Sequence, residues 1–231
     1  MDVLVEGVRQ AVALLLGGDR EILGVLWLSL QVSSAATLIA LLVGIPAGAV
    51  LALSRFPGRT LVVSAVNTGM GLPPVVVGLF VTILLWRSGP LGGWEILYTP
   101  AAIILAQALI ASPIVTGITL AAVQNVPAKF RLQLIALGAS RPQMVWVTLR
   151  EARLPMLAAV MAGFGGVISE IGASLMVGGN IKGHTRTLTT AMVLETGKGN
   201  FEIAIALSIL LLLLVFGINW ALTAIQQRRP S

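Results

Sequence analysis

Pro127-Ala128-Lys129-Phe130-Arg131-Leu132-Gln133-Leu134-Ile135-Ala136-Leu137-Gly138-Ala139-Ser140-Arg141-Pro142-Gln143-Met144-Val145-Trp146-Val147-Thr148-Leu149-Arg150-Glu151-Ala152-Arg153-Leu154-Pro155 is a charged segment inside an otherwise apolar chain. It carries Lys129, Arg131, Arg141, Arg150 and Arg153 against one acid, Glu151. Each such charge costs about 3 kcal/mol or more at the centre of a bilayer, so the stretch stays in water. The segments on either side, about 100–123 and 154–177, are apolar enough to cross hydrocarbon. A charged loop pinned between two such segments makes this an all-α, multi-pass membrane chain.

Composition agrees. Of 231 residues 57% are hydrophobic and 10% charged, against about 25% charged in an ordinary soluble domain. The net charge of +6 comes from basic residues scattered between apolar runs, not from a basic face, so nucleic acid is not a partner. There is no cysteine and one histidine, His184, which leaves no thiolate or histidine cluster for a metal. A phosphate-binding GxxxxGK[ST] sequence is absent, so this chain does not hydrolyse ATP by that route. Met1-Asp2-Val3-Leu4-Val5-Glu6 lacks a basic start, and no cleaved signal peptide is expected.

Outward from the opening stretch, the hydropathy pattern predicts about five spans within 22–225: 22–53, 60–86, 100–123, 154–177 and 202–225. Residues 1–21 have Leu4, Val8, Ala11, Val12 and Leu15 at helical spacing, which predicts an amphipathic helix in the interface, or else a frayed end. Gly44, Pro46 and Gly48 predict a kink or an exit from the membrane. Gly71-Leu72-Pro73-Pro74 removes two backbone donors in mid-span. That break either faces protein or a wet path, or is a plain kink. Arg55, Arg59, the five bases of 127–155, Arg228 and Arg229 fall on one side with only Glu151. The other side mixes six bases with seven acids, so the first side is cytoplasmic. The N-terminus is then outside, and the tail 226–231 and the loop 127–155 are inside. No internal repeat is visible.

The loop is too apolar to be bare: Leu132, Leu134, Ile135, Leu137, Met144, Val145 and Val147 need a cover. Gly138-Ala139-Ser140 permits a sharp turn, and Pro142 can sit in the first turn of a new helix. Ala136-Leu137-Gly138-Ala139-Ser140, with Pro155 beyond it, resembles the cytoplasmic signature loop of ATP-binding-cassette (ABC) importer permeases. Arg150-Glu151 stands where that family usually has Leu-Pro. The resemblance implies a coupling helix docked in a groove of an ATPase, with Leu134, Ala136, Leu137, Gly138, Ala139, Ser140, Pro142 and Met144 as its contact residues. A second resemblance covers Leu72–Leu79 and Ser169–Thr190, which are similar to permeases of molybdate- and tungstate-type importers, the longer block nearest the tungstate subclass.

Together these resemblances imply a type I ABC importer transmembrane fold in the cytoplasmic (inner) membrane of a prokaryote. They imply a non-catalytic permease moving a tetrahedral oxyanion, tungstate first and molybdate next. The expected assembly is a permease homodimer in membrane lipid, two cytoplasmic ATPase subunits and an extracytoplasmic oxyanion-binding protein. This chain would bind no cofactor, ATP and Mg sitting on the partner ATPase. Pro73, Pro74, Ser169, Glu170, Gly172 and Ala173 are the expected gate or pore residues. Glu170 would repel a dianion, so it is expected to brace the gate by hydrogen bonding to Ser, Thr or Asn on a neighbouring helix, Asn67 and Thr68 being candidates. Gly165, Ser169 and Ala173 form a small-residue stripe for close helix packing, either near a dimer axis or within one chain. Lys182, Arg186 and Thr187, beside His184 and Lys198, guide the anion, meet the binding protein's rim, or anchor the loop to headgroups. The competing function is an ion-coupled carrier or channel acting without an ATPase. It would need ionisable residues on several spans, and only Glu170 qualifies.

Overall fold

The computed structural model describes residues 2–17 and 20–227, and all its regular structure is helical. Asp19, Arg228 and Arg229, used in the charge count, lie outside the described residues. The spine is a pair of helices, α2 (Arg20–Leu53) and α5 (Pro100–Gln124). At 34 residues α2 is roughly 51 Å long, well beyond a ~30 Å hydrocarbon core. Its buried face places Val32, Ala36, Ala40, Gly44 and Gly48 at every fourth position. A Cβ on Gly44 would lie 2.7 Å from Val115 Cγ1, and one on Gly48 would lie 2.6 Å from the Thr116 carbonyl oxygen. The helix runs through Pro46 to Leu53. Gly44 and Gly48 therefore mark a close approach of two backbones, which side chains would block.

This packing gives a direct test. Gly48→Val would press a β-branched side chain onto a backbone carbonyl that cannot swing away, and overpacking of this kind costs about 1–3 kcal/mol. The variant should melt well below wild type in detergent and insert at lower yield. An unchanged melting temperature would show that α2 and α5 can part without penalty.

The next two helices, α3 (Arg59–Met70) and α4 (Pro74–Leu85), meet at an angle of 100° across Gly71-Leu72-Pro73. Pro73 caps α4 and Pro74 opens it, where a missing N–H costs nothing. Four short helices follow α5: α6 (Ala128–Ala136), α7 (Arg141–Glu151), α8 (Arg153–Ile168) and α9 (Gly172–Gly178). Then come α10 (Leu188–Gly197) and the long α11 (Phe201–Gln227). Among the described residues three helices, α2, α5 and α11, are long and apolar enough to cross a membrane. The pairs α3–α4 and α7–α8, the latter bent by 68°, raise the number to five if each pair counts as one crossing. The sequence pattern joined residues 154–177 into one span. The structure ends α8 at Ile168 and starts α9 afresh at Gly172.

Core packing sorts the chain into two ends. Val123, Val126 and Ala152 pack with Phe130, Leu149 and Met156, anchoring the loop beneath α5. Arg59 Nε donates to the Leu51 carbonyl at 2.8 Å, and Gln226 Nε2 to the Leu154 carbonyl at 3.2 Å, at this same end. At the opposite end Glu21 meets Lys182. The basic turn 55–59, the basic loop and the end of α11 thus share one face, as the charge count required.

The first helix, α1 (Asp2–Gly17), is seated along α11. Ala11 is buried, and a Cβ on Gly7 would come within 2.5 Å of Ile205 Cγ2. Val5, Val8 and Val12 point outward instead. Gly7 and Ala11 make the described part of the seat, so the expected interfacial helix has a protein partner that its periodicity did not disclose; the side chains of Leu4 and Leu15 lie outside the described residues.

Candidate functional site

Two regions bring the singled-out residues together, one at each end of the bundle. At the cytoplasmic end, α6 stops because Gly138 takes φ +79°. Its N–H donates to the Ile135 carbonyl at 2.9 Å, and Ala139 N–H reaches back to Leu134 at 3.0 Å. This is a Schellman termination, which glycine adopts without the strain a Cβ would add. Ser140 then caps α7: its N–H donates to Gln143 Oε1 at 2.8 Å, and Pro142 occupies the first turn. The result is a rigid elbow. Leu132, Ile135, Leu137 and Trp146 stand exposed around it, Leu137 by 84%. Ala136 and Pro142 are also exposed, whereas Leu134, Ala139 and Met144 are half-buried. The apolar tip therefore comprises Leu132, Ile135, Leu137 and Trp146, and of these only Leu137 is among the eight expected contacts. Helical register, which alternates half-buried Leu134 with exposed Ile135, decides this and is hard to read in so short a segment.

At the other end lies the break at residues 169–171, between α8 and α9. Glu170 is buried there, and its carboxylate is fully employed. Ala173 N–H donates to Oε1 at 2.7 Å; Ser174 N–H and Oγ both donate to Oε2 at 2.9 Å. The serine that meets this carboxylate is Ser174, at the start of the following helix, and neither Asn67 nor Thr68 reaches it. Thr68 instead donates its hydroxyl to the Ser64 carbonyl at 2.9 Å. Gln107 of α5, buried, completes the network: its Nε2 reaches the Val167 carbonyl at 3.0 Å and Ser174 Oγ at 3.3 Å. Thr189 Oγ1 donates to the Glu170 carbonyl at 3.0 Å. Interrupted backbone at membrane depth must find such partners. Gln107 was legible as the lone polar side chain in the run Ala101–Ile110, a signal that carries no charge and so stands out less than Glu170.

Gly172 and Ala173 lie against the start of α4. A Cβ on Gly172 would be 2.5 Å from Val75 Cγ2, and one on Gly78 would be 2.6 Å from Ala173 Cα. The two broken segments, 71–75 and 169–173, are thereby locked to each other. Pro73, Pro74 and Ser169 remain exposed. Gly165 has open space beside it, so the stripe Gly165, Ser169, Ala173 is divided: Ala173 packs within the chain, while Gly165 and Ser169 meet nothing that fills the space.

α3 has no buried residue. Thr60, Ser64, Asn67 and Thr68 fall on one face at spacings of three and four and are all exposed, and the Asn67 side chain makes no hydrogen bond among the described residues. Polar side chains have no stable place against lipid tails, so this face belongs to water or protein.

The outer loop is more ordered than its composition implied. Thr187 is buried and caps α10, paired with Thr190 in a reciprocal box. Thr185 Oγ1 donates to the Gly178 carbonyl, and Leu188 N–H donates to Ser29 Oγ at 2.8 Å. Lys182 pairs with Glu21 at 2.7 Å, and Arg186 approaches the same carboxylate at 3.8 Å. Lys198 pairs with Glu195 at 2.7 Å. Hydrogen bonds from Asn200 and then Lys198 hold the Glu195 carboxyl below its ordinary range. Lys182, Arg186 and Lys198 are thus all charge-paired within the chain. No group of three or more His, Cys, Asp or Glu able to hold a metal occurs among the described residues.

Residues 44–230 match the family described as binding-protein-dependent transport system inner membrane component. A probable anion ABC transporter permease protein of Haloferax volcanii is 43% identical, over 88% of this chain and 90% of its own length. A tungstate uptake system permease protein of Peptoclostridium acidaminophilum is 39% identical, over 98% of this chain and 100% of its own. Among solved structures, an inward-facing MetNI methionine ABC transporter superimposes with a TM-score of 0.73 at 22% identity, covering 90% of this chain and 94% of that one. That last likeness is one of fold.

Proposed function

Because this chain belongs to the inner membrane components of binding-protein-dependent transport systems, we propose that it is the permease for a tetrahedral oxyanion, tungstate first and molybdate next, worked by separate ATPase subunits. The observation that carries the mechanism is the rigid elbow at Gly138, with its bare apolar tip. A soluble chain end would not leave Leu137 and Trp146 in water; an ATPase groove that accepts them recovers their burial. ATP and Mg sit on that ATPase. The cargo reading rests on full-length similarity to a tungstate uptake permease.

The working unit is a homodimer in membrane lipid. The unburied α3 face and Ser169 supply the surfaces that the second copy and a wet path between copies require. In this arrangement the anion passes hydroxyl and amide groups of Thr60, Ser64, Asn67 and Thr68 rather than a fixed cation, which suits passage better than tight binding. Pro73 and Pro74, with Gly172 and Ala173, form the hinge block beside that path. Glu170 holds the block together and touches no substrate. Lys182 and Arg186 stay at the outer mouth, where pairing with Glu21 weakens the pull either exerts on a dianion, and they meet the binding protein.

Reconstitution tests this. Proteoliposomes carrying the permease, its ATPase and the binding protein should take up labelled tungstate only with internal ATP, and Ser64→Leu/Asn67→Leu should slow uptake at least about tenfold by lining the path with apolar groups. Uptake that persists without the ATPase would establish the ion-coupled carrier instead.

A further inference from the structure

A groove of 780 Å³ opens between the cytoplasmic end of α2 and α7, beside the elbow and sharing Met144 with its expected contact set. Its floor is Ile45, Ala49 and Leu53 from α2, and Met144, Val145 and Leu149 from α7. Arg55 and Arg141 stand at its rim, and no carboxylate lines it. Both arginines are exposed, and neither forms an ion pair or hydrogen bond among the described residues. The apolar floor continues onto the outer face of α2, where Leu42, Val43 and Val50 are bare.

We infer that this groove holds one anionic phospholipid, an acyl chain lying along α2 and the phosphate between Arg55 and Arg141. Hydrocarbon fits the floor because it brings no backbone N–H or C=O that would need partners, whereas an inserted peptide would. Two unpaired guanidinium groups with no acid nearby suit a phosphodiester, which each can grip through paired donors. The site also lies where a lipid would be available: the basic turn and loop share the cytoplasmic face, and headgroups meet the helix ends there. Helices α2 and α7 touch little directly, so the lipid is the filling between the membrane spine and the coupling elbow. Its presence would stiffen that joint and make ATPase coupling sensitive to the anionic lipid content of the membrane.

The permease purified with its ATPase in mild detergent provides the test. Native mass spectrometry should show retained phosphatidylglycerol, roughly one per permease. Arg55→Gln/Arg141→Gln should reduce that retention about tenfold or more, whereas Arg150→Gln/Arg153→Gln, which changes the same net charge outside the groove, should not. A photoreactive phosphatidylglycerol in vesicles with wild-type complex should cross-link to peptides containing 45–54 and 141–149. Equal loss from both double variants would reduce the effect to general surface charge, and cross-links confined to other helices would overturn the site. Protection of the groove by the ATPase or by a second permease, seen as cross-links from those chains to Ala49 or Leu149, would equally overturn it.

Discussion

Leu137→Glu should abolish ATP-driven uptake while leaving the permease folded. The side chain is 84% exposed, so its loss removes no packing from this chain. The Schellman bonds at Gly138 and Ala139 are made by backbone and survive the change. On the proposed arrangement, however, the new carboxylate must enter an apolar groove of the ATPase. Burying an unpaired charge costs several kcal/mol, and even ~3 kcal/mol lowers the population of the engaged complex roughly 100-fold. The melting temperature of the isolated permease, its co-purification with the ATPase and labelled-anion uptake should therefore separate: the first unchanged, the other two lost. Full uptake would remove the tip from the coupling surface. Gly138→Glu tests the same idea less cleanly. There is space around Gly138, but φ +79° adds about 1–2 kcal/mol of strain to any L side chain, so the elbow itself would loosen.

Glu170→Ala should have the largest effect on stability. It strands two backbone N–H groups at the start of α9 and the Ser174 hydroxyl, all buried, and leaves Gln107 with only part of its network. Removing a charged acceptor from such donors costs about 1.5–3 kcal/mol for each bond, less what water and rearrangement recover, which suggests a net loss of ~3–5 kcal/mol. Glu170→Gln retains one carbonyl acceptor and should fall between. Unfolding midpoints in mild detergent would rank wild type, Gln and Ala in that order. If the Gln variant kept full stability but lost uptake, the carboxylate would be acting on the cargo and not on the fold.

These two residues also show how far the sequence could be read. Gly138 followed by Ser140 and Pro142 specifies its own geometry, because the positive φ, the capping box and the proline in the first turn are local chemistry. The elbow was therefore legible before any tertiary contact was known. Glu170 was legible as a carboxylate in need of hydrogen-bond donors, since an ionisable group inside an apolar span must be satisfied. Its partner was not legible, because the choice between Ser174 and residues of α3 depends on where α8 ends. A single apolar run from 154 to 177 conceals that end: hydropathy does not register a helix break whose freed backbone groups are satisfied by side chains from α5 and α10.

The glycines of α2 illustrate the same limit. Gly44, Pro46 and Gly48 carry the composition of a kink, and only the position of α5 reveals that two of them are clearance for Val115 and Thr116. The outer cations behave alike. Lys182 and Arg186 are positive in the sequence, but the fold sets both beside Glu21, more than 160 residues away in the chain.

What the sequence determined by itself was the solvent and the local turns. Long uncharged runs select lipid, the placement of lysine and arginine sets the orientation, and glycine, serine and proline fix the elbow, all through free energies that depend on a residue and its near neighbours. Pairing came from the fold alone: α1 on α11, Glu170 with Ser174 and Gln107, α4 against α9, and the bare polar face of α3. In a chain that is apolar on nearly every side, burial in protein and burial in lipid have almost the same transfer energy. Hydropathy therefore cannot choose helix partners, and small residues and a few hydrogen bonds make that choice.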